Sequence, residues 1–418
     1  MIKKLIPIVF FLLALFTDNI CWSQTAWINY TFTNSPLPEN SVRCIEIDAQ
    51  NRKWIGTDYG LAVFDDVSWT VYFTTNSGLP DNAIRAITFD NSGNTWIGTL
   101  SGGLTKFDGA NWTTYNTSNS SLPADYVKAL EIDTANFLWI GTINGIAKFD
   151  MVNNWETFTP ANSILITANI ASIHVRANNQ KIIGTLNGGL IIFANDTIKD
   201  VLTIANGSGI PDNTQLDLAE DSLGNIWFAT AADGLAAYRG PFGWFWYHPG
   251  ISTIPSPNLS AVHFNNTESI LWIGSIDNGL IKKTGATFSA YTTSNSLMPD
   301  NHIQSLTVDD SNVVWMGTAS NGVVRFDEAL LSSTQSINNP VISFLYPNPT
   351  TGNLFFNNAD EAFATIKIYD VSGRVIYSKQ ITAGNNEIDL SECGNGVFFV
   401  EVVMRSGERV FDKVLKAK

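Results

Sequence analysis

The chain has 418 residues, and its 38 acidic side chains outnumber its 24 lysines and arginines, which gives a formal net charge of −14. This negative charge opposes binding to a phosphate backbone, so we expect no nucleic-acid partner. Charged residues make up only 15% of the chain and aromatic residues 12%, which is enough apolar material for a large core.

The first residues have the pattern of an export signal. Two lysines precede an apolar run over residues 5–16, and the small residue Ser23 follows. We therefore predict a signal peptide over residues 1–23, cut before Gln24. A lipoprotein signal that uses Cys21 is the alternative, but the isoleucine before it is bulky for that role. No other segment is apolar and long enough to cross a bilayer, so we expect no transmembrane anchor in the mature chain.

The pattern Trp-Ile-Gly-Thr, or a close variant, occurs seven times in the chain. The copies begin at Trp54, Trp96, Trp139, Ile182, Trp227, Trp272 and Trp315, and the successive steps are 42, 43, 43, 45, 45 and 43 residues. A period in the forties that is built from strand-forming residues is typical of a β-propeller with one blade per repeat.

The second copy shows what one repeat contains. An apolar run over Ile84–Phe89 predicts an inner strand buried on both faces, and the segments 96–99, Leu104–Phe107 and Trp112–Tyr115 predict three more strands. Turn residues separate the four strands, so each repeat is a four-stranded antiparallel blade. A glycine inside the second strand leaves room for a close neighbour, which we expect to be an aromatic ring of the adjacent blade.

The seventh copy lacks the Trp-x-x-Tyr outer strand, and the missing strand stands near the other end of the chain, at Trp27–Tyr30. We therefore predict an all-β chain in which residues 24–328 form a seven-bladed β-propeller closed by this first strand. Such closure removes the free strand edge that an open ring would leave.

A different pattern follows the repeats. Residues 329–340 are rich in serine and asparagine and read as a linker, and residues 341–418 alternate short strand-like runs with glycine turns. We predict a small Ig-like β-sandwich for this last segment. Cys44 and Cys393 fall in different domains, so we expect two thiols and no disulfide.

The repeat resembles the two-component-regulator propeller repeat. The resemblance rests on the pattern Pro-Asp-Asn-x-Ile-x-x-Ile-x-x-Asp, then Trp-Ile-Gly-Thr-x-x-Gly-Gly-Leu, Phe-Asp-Gly and Trp-x-x-Tyr, and it covers nearly all of residues 24–328. In that family the propeller is often the periplasmic sensor half of a hybrid histidine kinase that detects polysaccharide fragments. No kinase or receiver segment follows here, so only the propeller is carried over.

The last eighty residues resemble the C-terminal sorting domain of type IX (Por) secretion cargo. Five blocks carry the resemblance, at residues 346–352, 368–374, 389–391, 396–400 and 413–416. The resemblance implies that the type IX machinery is a partner. It also implies passage through the periplasm and across an outer membrane, removal of the domain, and release or attachment at the cell surface.

Three cations occupy the same position in the first three inner strands, namely Arg43, Arg85 and Lys128. Adjacent blades would bring them together near the axis, where arginine can hold a carboxylate such as that of a uronic acid. The structural alternative, which we favour, is pairing with the acidic residues that precede the inner strands. Those residues are Glu39, Asp81, Asp212 and Asp300.

A second candidate site is the aromatic segment 241–248. Phe245 and Trp246 stand where other repeats have small or β-branched residues, so they are candidates for a platform that stacks on sugar rings or contacts a protein. The alternative is that they cover a gap beside a neighbouring blade.

Signals for metal binding and catalysis are weak. The Asp-rich turns lack the spaced ligands of a calcium loop, so we expect turn chemistry, no metal and no cofactor. We read His174 and His263 as packed core residues, and we found no catalytic motif and name no catalytic residue.

We therefore favour an exported, non-enzymatic binding module for a glycan or an extracellular protein. A polysaccharide lyase or glycosidase on the same scaffold is the second hypothesis, with Arg43, Arg85, Lys128 and His302 near the axis. A sensor component that signals through a separate chain is the third. Fold alone does not choose among them.

Overall fold

The computed structural model describes residues 26–240, 243–334, 345, 347–358, 363–371, 373–382, 384–404 and 409–417. The signal peptide predicted over 1–23 and the first two residues of the aromatic segment lie outside these ranges. The chain forms two compact units, Met1–Glu328 and Ala329–Lys418. Within the described residues, no helix has the length and apolar character needed to span a membrane.

The first unit contains seven four-stranded antiparallel sheets, numbered here in chain order, with strands called inner, second, third and outer. Sheets one to three comprise Val42–Ile47, Lys53–Thr57, Leu61–Phe64 and Trp69–Tyr72; Ile84–Phe89, Thr95–Thr99, Leu104–Phe107 and Trp112–Tyr115; and Val127–Ile132, Leu138–Thr142, Gly145–Phe149 and Trp155–Phe158. Sheets four and five comprise Ile170–Val175, Lys181–Thr185, Leu190–Ala194 and Thr197–Leu202; and Gln215–Glu220, Ile226–Thr230, Leu235–Tyr238 and Trp244–Tyr247. Sheets six and seven comprise Leu259–Asn265, Ile270–Ser275, Leu280–Thr284 and Thr287–Tyr291; and Ile303–Val308, Val314–Thr318, Val323–Phe326 and Trp27–Tyr30.

The sheets follow one another around a common centre, as in a β-propeller. The inner strand of each sheet contacts the inner strand of the next, and the inner strand of sheet seven contacts that of sheet one. The second strands, which carry the repeated Trp-Ile-Gly-Thr pattern, are buried along their whole length in all seven sheets. The core therefore lies between successive sheets.

The outer strand of sheet seven comes from the start of the described chain. Trp27–Tyr30 pairs antiparallel with Val323–Phe326 over four residue pairs. The Trp27 ring stacks on the Phe326 ring at 4.0 Å between centroids, and only 8% of Trp27 is exposed. This pairing covers an edge that would otherwise present unpaired backbone groups.

A buried ion pair ties sheet seven to sheet one. The side chain of Lys53 is fully buried, and its Nζ lies 2.7 Å from Asp66 Oδ2 and 3.7 Å from Asp309 Oδ2. The same Nζ stands 4.7 Å from the centre of the Trp315 ring. A charge in this position needs such partners, because an unpaired buried ammonium group is strongly disfavoured.

In five sheets the glycine of the second strand faces an aliphatic side chain of the next inner strand, and the expectation of an aromatic ring is wrong. In sheet four Gly184 faces Ser172 and Gln215, and sheet five has Ala229 at this position. A Cβ atom on Gly98 would lie 2.5 Å from Cγ1 of Val127, the first residue of the next inner strand. On Gly56 it would lie 2.7 Å from Cγ2 of Ile84. At these positions a Cβ atom would overlap the next inner strand, so glycine permits the close approach of the two sheets.

The second unit is also built from strands. Asn353–Asn358 pairs with Gly384–Asp389, and a four-stranded sheet contains, in spatial order, Val375–Gln380, Phe363–Tyr369, Gly396–Met404 and Arg409–Lys416. Its core contains Leu354, Phe356, Ile368, Val400 and Val414. A short helix, Glu328–Thr334, occupies the first part of the segment for which the sequence predicts a linker.

Candidate functional site

A cavity of about 320 Å³ lies at the centre of the first unit and is lined by the inner strands of all seven sheets. Each inner strand therefore has one face open to this cavity. The prediction from their apolar composition, that both faces are buried, is wrong. In sheet one, Val42 and Ile45 are buried in the core, while the side chains of Arg43 and Glu46 open onto the cavity. We refer to this space as the axial cavity.

A bulge in each inner strand places its second residue in the axial cavity. In sheet one the pairing with the second strand shifts between Val42 and Cys44, so Arg43 has no partner in the ladder. The same shift leaves out Arg85 in sheet two and Lys128 in sheet three. An extra residue of this kind turns its side chain away from the regular alternation, and here it turns toward the cavity.

The structure brings Arg43 and Arg85 together around one carboxylate, that of Asp58. Arg43 Nη2 lies 2.7 Å from Asp58 Oδ2, and its Nε lies 3.1 Å from Oδ1 and 3.0 Å from Oδ2. Arg85 Nη2 lies 2.8 Å from Oδ1. Pairing with an acidic residue thus occurs, but the partner is Asp58 of the hairpin between the second and third strands. It is not Glu39 or Asp81.

Burial alone would raise the pKa of Asp58. The hydrogen bond from Arg43 and the positive charges of Arg85 and Arg43 outweigh it, so the pKa lies below its ordinary value. Asp58 is therefore a carboxylate at neutral pH. Because one carboxylate faces two guanidinium groups, this cluster keeps a net positive charge.

Lys128 is the third cation of the candidate site and has a neutral partner. Its Nζ donates a hydrogen bond of 3.1 Å to Asn169 Oδ1, across to the loop that precedes sheet four. Burial lowers the pKa of this ammonium group. His302 does not line the cavity; it precedes the inner strand of sheet seven, and its backbone N–H donates to Asp300 Oδ1 at 2.9 Å. Gln304 is the cavity residue of that strand nearest in sequence.

Three carboxyl groups, none of them among the sequence candidates, also face the axial cavity. Burial raises the pKa of Glu46 to about 8, and the charges of Glu131 and Asp217 add to the shift. Burial and the charge of Asp217 raise the pKa of Glu131 to about 8. Burial also raises the pKa of Asp217, to about 6, although the backbone N–H groups of Val262 and Leu218 donate to it at 2.9 Å. These groups hold protons more readily than ordinary carboxyls.

Two histidines that we read as core residues instead line the cavity. Burial lowers the pKa of His263 to about 4. Burial also lowers the pKa of His174, although its Nε2 lies 3.2 Å from Glu220 Oε2, which acts in the opposite direction. Both rings are therefore neutral at pH 7.

A comparison across repeats could have revealed four of these residues. The fifth residues of the seven inner strands are Glu46, Thr88, Glu131, His174, Ala219, His263 and Thr307. All of them except Thr88 and Ala219 line the cavity. Four of the seven can carry a charge, which is unusual for strands that look apolar as a whole.

The aromatic pair in sheet five does not form one platform. Phe245 and Trp246 are 43% and 41% exposed, but neighbouring residues of a strand point to opposite faces. Phe245 lies under the Arg239 guanidinium group, at 4.2 Å from the ring centre. Trp246 donates its indole N–H to the carbonyl of Asp233, and its ring lies 5.6 Å from the His248 ring. Each ring is a separate candidate contact.

Two family models match parts of the chain. Residues 344–416 match the secretion system C-terminal sorting domain, and residues 78–101 match the two component regulator propeller. Both resemblances noted in the sequence are confirmed. The sorting domain indicates that the chain is secreted or placed at the cell surface, and that the type IX machinery handles it. A comparison with curated proteins gave no significant match.

Solved structures share the fold at low sequence identity. The extracellular domain of BT3049 from B. thetaiotaomicron, assigned to a hybrid two component system, is 20% identical with a TM-score of 0.65; the match covers 93% of this chain and 56% of that one. PorZ, a surface component of the type-IX secretion system of Porphyromonas gingivalis, is 17% identical with a TM-score of 0.54, covering 91% and 60%. Virginiamycin B lyase from Staphylococcus aureus is 12% identical with a TM-score of 0.56, covering 72% and 97%. The chain thus spans less than two thirds of the first two neighbours, and identities this low show the fold alone.

Proposed function

We propose that the chain is an exported β-propeller binding module that recognises a glycan or an extracellular protein at its axial cavity. The observation that carries the proposal is the cavity itself, which is lined by cations of three adjacent sheets and by the carboxyl groups of Glu46, Glu131 and Asp217. Polar groups of several kinds that converge on one concave space are typical of a site that orients a ligand. The sorting-domain match supports export.

The same proposal includes the domain organisation. A signal peptide over 1–23 precedes a seven-bladed propeller over 24–328, whose ring is closed by the N-terminal outer strand. A linker over 329–340 leads to an Ig-like sorting domain over 341–418. The pairing of Trp27–Tyr30 with Val323–Phe326 supports the closed ring.

Enzymatic activity is the second candidate function, and the carboxyl groups in the cavity are the observation that favours it. Glu46 and Glu131 have raised pKa values, as a general acid requires. A sensor role that signals through a separate chain is the third candidate. All three candidate functions use the axial cavity. A single screen that measures both glycan binding and product formation therefore separates binding from enzymatic turnover.

The test is a glycan array combined with a turnover assay on the same glycans, using the full exported chain. We expect binding without product formation. Product formation would favour the enzyme. Trp246 does not line the axial cavity, so Trp246→Ala tests the aromatic candidate separately. The substitution should weaken binding of a glycan that reaches the exposed ring, by about three- to tenfold, because a stacking contact is lost. Phe245→Ala tests the second ring in the same way, and unchanged affinity in either variant would remove that ring from the site.

A further inference from the structure

The hairpin between the second and third strands differs in sheet one from the other six. The residue after the Gly-Thr pair, or its variant, has the same place in every repeat. It is Asp58 in sheet one, and it is Leu100, Ile143, Leu186, Ala231, Ile276 and Ala319 in the others. Sheet one alone therefore places a carboxylate at this position of the repeat.

Asp58 fills the positions that an anionic ligand would occupy. Both of its oxygens accept hydrogen bonds from Arg43, and Oδ1 also lies 2.8 Å from Arg85 Nη2. Two guanidinium groups from adjacent sheets converge on a carboxylate in the way that such groups bind anionic ligands. The cluster is thus an anion-binding site whose occupant belongs to the chain.

One further carboxylate in the cavity opposes a second anion. An entering carboxylate or sulfate group would have to displace Asp58 from its two partners and would then approach Asp217, which faces the same space. Glu46 and Glu131 face it too, but their pKa values, raised to about 8, leave them mostly protonated at pH 7. Unfavourable charge contacts of this kind are a common basis of specificity.

We propose that Asp58 is the specificity-determining residue of the axial cavity: its carboxylate occupies the Arg43–Arg85 pair, so the cavity rejects anionic glycans and accepts uncharged ones. The inference rests on the proposed function in one respect, namely that the cavity is the ligand site. An uncharged sugar can share hydrogen bonds with the Asp58–arginine cluster without breaking it, whereas an anion cannot.

The experiment compares two probes that differ in charge, trigalacturonate and its fully methyl-esterified form, by calorimetric titration of the full exported chain. Asp58→Asn should bind trigalacturonate at least about tenfold more tightly than the wild type does, because the two guanidinium groups become available. Affinity for the ester should change by less than about twofold, and the gain should shrink as salt rises. Adding Arg85→Gln to the Asn variant should abolish the gain.

Asp327→Asn is the matched control, because Asp327 also pairs with an arginine, Arg325 at 3.0 Å, but does not line the cavity. It should leave affinity for both probes unchanged. If Asp58→Asn fails to fold, Asp58→Leu gives this hairpin the side chain found at position 100 and frees the same arginines.

Two results would overturn the proposal. One is a wild-type chain that binds trigalacturonate more tightly than the ester, which needs no variant to observe. The other is a folded Asp58 variant with no gain in trigalacturonate affinity. The gain is measured against the wild type with a defined probe, so it does not depend on whether the glycan array identifies a native ligand.

Discussion

The paired aspartate and tryptophan residues show how single side chains hold each sheet. Asp90 Oδ1 accepts the backbone N–H groups of Ser92 and Asn94 in the turn, while Oδ2 accepts the indole N–H of Trp96 at 2.9 Å. The same indole bond recurs in four other sheets, at Asp48–Trp54, Asp133–Trp139, Asp221–Trp227 and Asp309–Trp315. One carboxylate thus fixes both a turn and a core side chain.

We expect Asp90→Ala to lower the free energy of unfolding by about 2–4 kcal/mol, because it leaves a buried indole N–H and two turn N–H groups without their acceptor. Urea denaturation followed by tryptophan fluorescence measures the loss. Asn91→Ala, at an exposed position of the same turn, should change stability by less than about 0.5 kcal/mol. Equal effects of the two substitutions would show that the carboxylate is unimportant.

The carboxyl groups in the axial cavity make the free energy of unfolding depend on pH. The pKa of Glu131 is about 8 in the folded chain and near 4 when unfolded. The folded state therefore binds the proton more tightly. The stabilisation that follows is complete below pH 4 and is lost as pH rises toward 8. Glu46 and Asp217, which also face the cavity, act in the same direction.

Glu131→Gln should therefore raise the melting temperature relative to the wild type at pH 8.5, by about 2 °C or more, and change it little at pH 5. Differential scanning calorimetry at the two pH values checks this. Glu156→Gln, in the exposed part of the outer strand of the same sheet, should have an equal effect at both. A gain for Glu131→Gln that is larger at pH 5 would contradict the direction of the shift.

The sequence identified the three cations of the site but not Asp58, the carboxylate that pairs with two of them. Arg43, Arg85 and Lys128 stand at one repeated position, so the repeat itself reveals them. Asp58 stands at a position where other copies have apolar or small residues. A search confined to the acidic residues before the inner strands therefore misses it. Which carboxylate a long arginine side chain reaches depends on the curvature of neighbouring sheets, and the pattern does not contain that information.

At the scale of elements, the inner-strand bulge explains why periodicity was misleading. A run such as Val127–Ile132 is mostly apolar and resembles a strand with two buried faces. The register shift after Val127 turns Lys128 into the cavity and leaves Glu131 facing the same space. A bulge has no residue signature in these strands, so only the folded structure reveals it.

Trp27→Ala should destabilise the first unit by about 3–5 kcal/mol, since a buried indole that stacks on Phe326 is removed. Hydrogen exchange should accelerate at Val323–Phe326, the strand that Trp27–Tyr30 covers. Trp69→Ala is the matched substitution, because Trp69 stacks on Phe64 at a similar distance, 4.4 Å. It should instead accelerate exchange at Leu61–Phe64. Faster exchange at both strands in both variants would argue against a local role for the first strand.

For the whole molecule, two compact units imply that the tail can be removed without unfolding the rest. We expect deletion of residues 341–418 to leave the first unit folded and the chain retained in the periplasm, because the sorting domain is lost. Cell fractionation and circular dichroism test the two parts. Normal appearance of the truncated chain in the medium would contradict the proposed route.

A substitution of one residue, Lys416, also tests the proposed export through the sorting domain. Lys416 Nζ donates to the carbonyls of Leu390 and Ser391 at 2.8 Å and to that of Cys393. Lys416→Met leaves these acceptors unpaired, so we expect a tail that is cut faster by protease and a smaller exported fraction. Lys379→Met, at an exposed position of the same sheet, is the control and should be exported normally.

The repeat period, the strand order within a repeat and the change of pattern near residue 340 could all be read from the sequence, because each sheet repeats its turn and core residues. The glycine contact was predicted wrongly, and the short helix at the start of the linker was not predicted. Close packing of Gly98 against Val127 depends on the spacing between sheets, and the helix Glu328–Thr334 is too short to leave a periodic pattern.

Because Trp27–Tyr30 pairs with Val323–Phe326, this first strand is synthesised long before it can join its sheet. The strand that leaves the ribosome early pairs, among the described residues, with a strand almost three hundred positions later in the chain. Contacts of such long sequence separation form slowly, because a large loop must close first. Until the seventh sheet has been made, an aromatic segment with unsatisfied hydrogen-bonding groups stays open to the wrong neighbours, so a chaperone that shields it during translocation would raise the yield of folded protein.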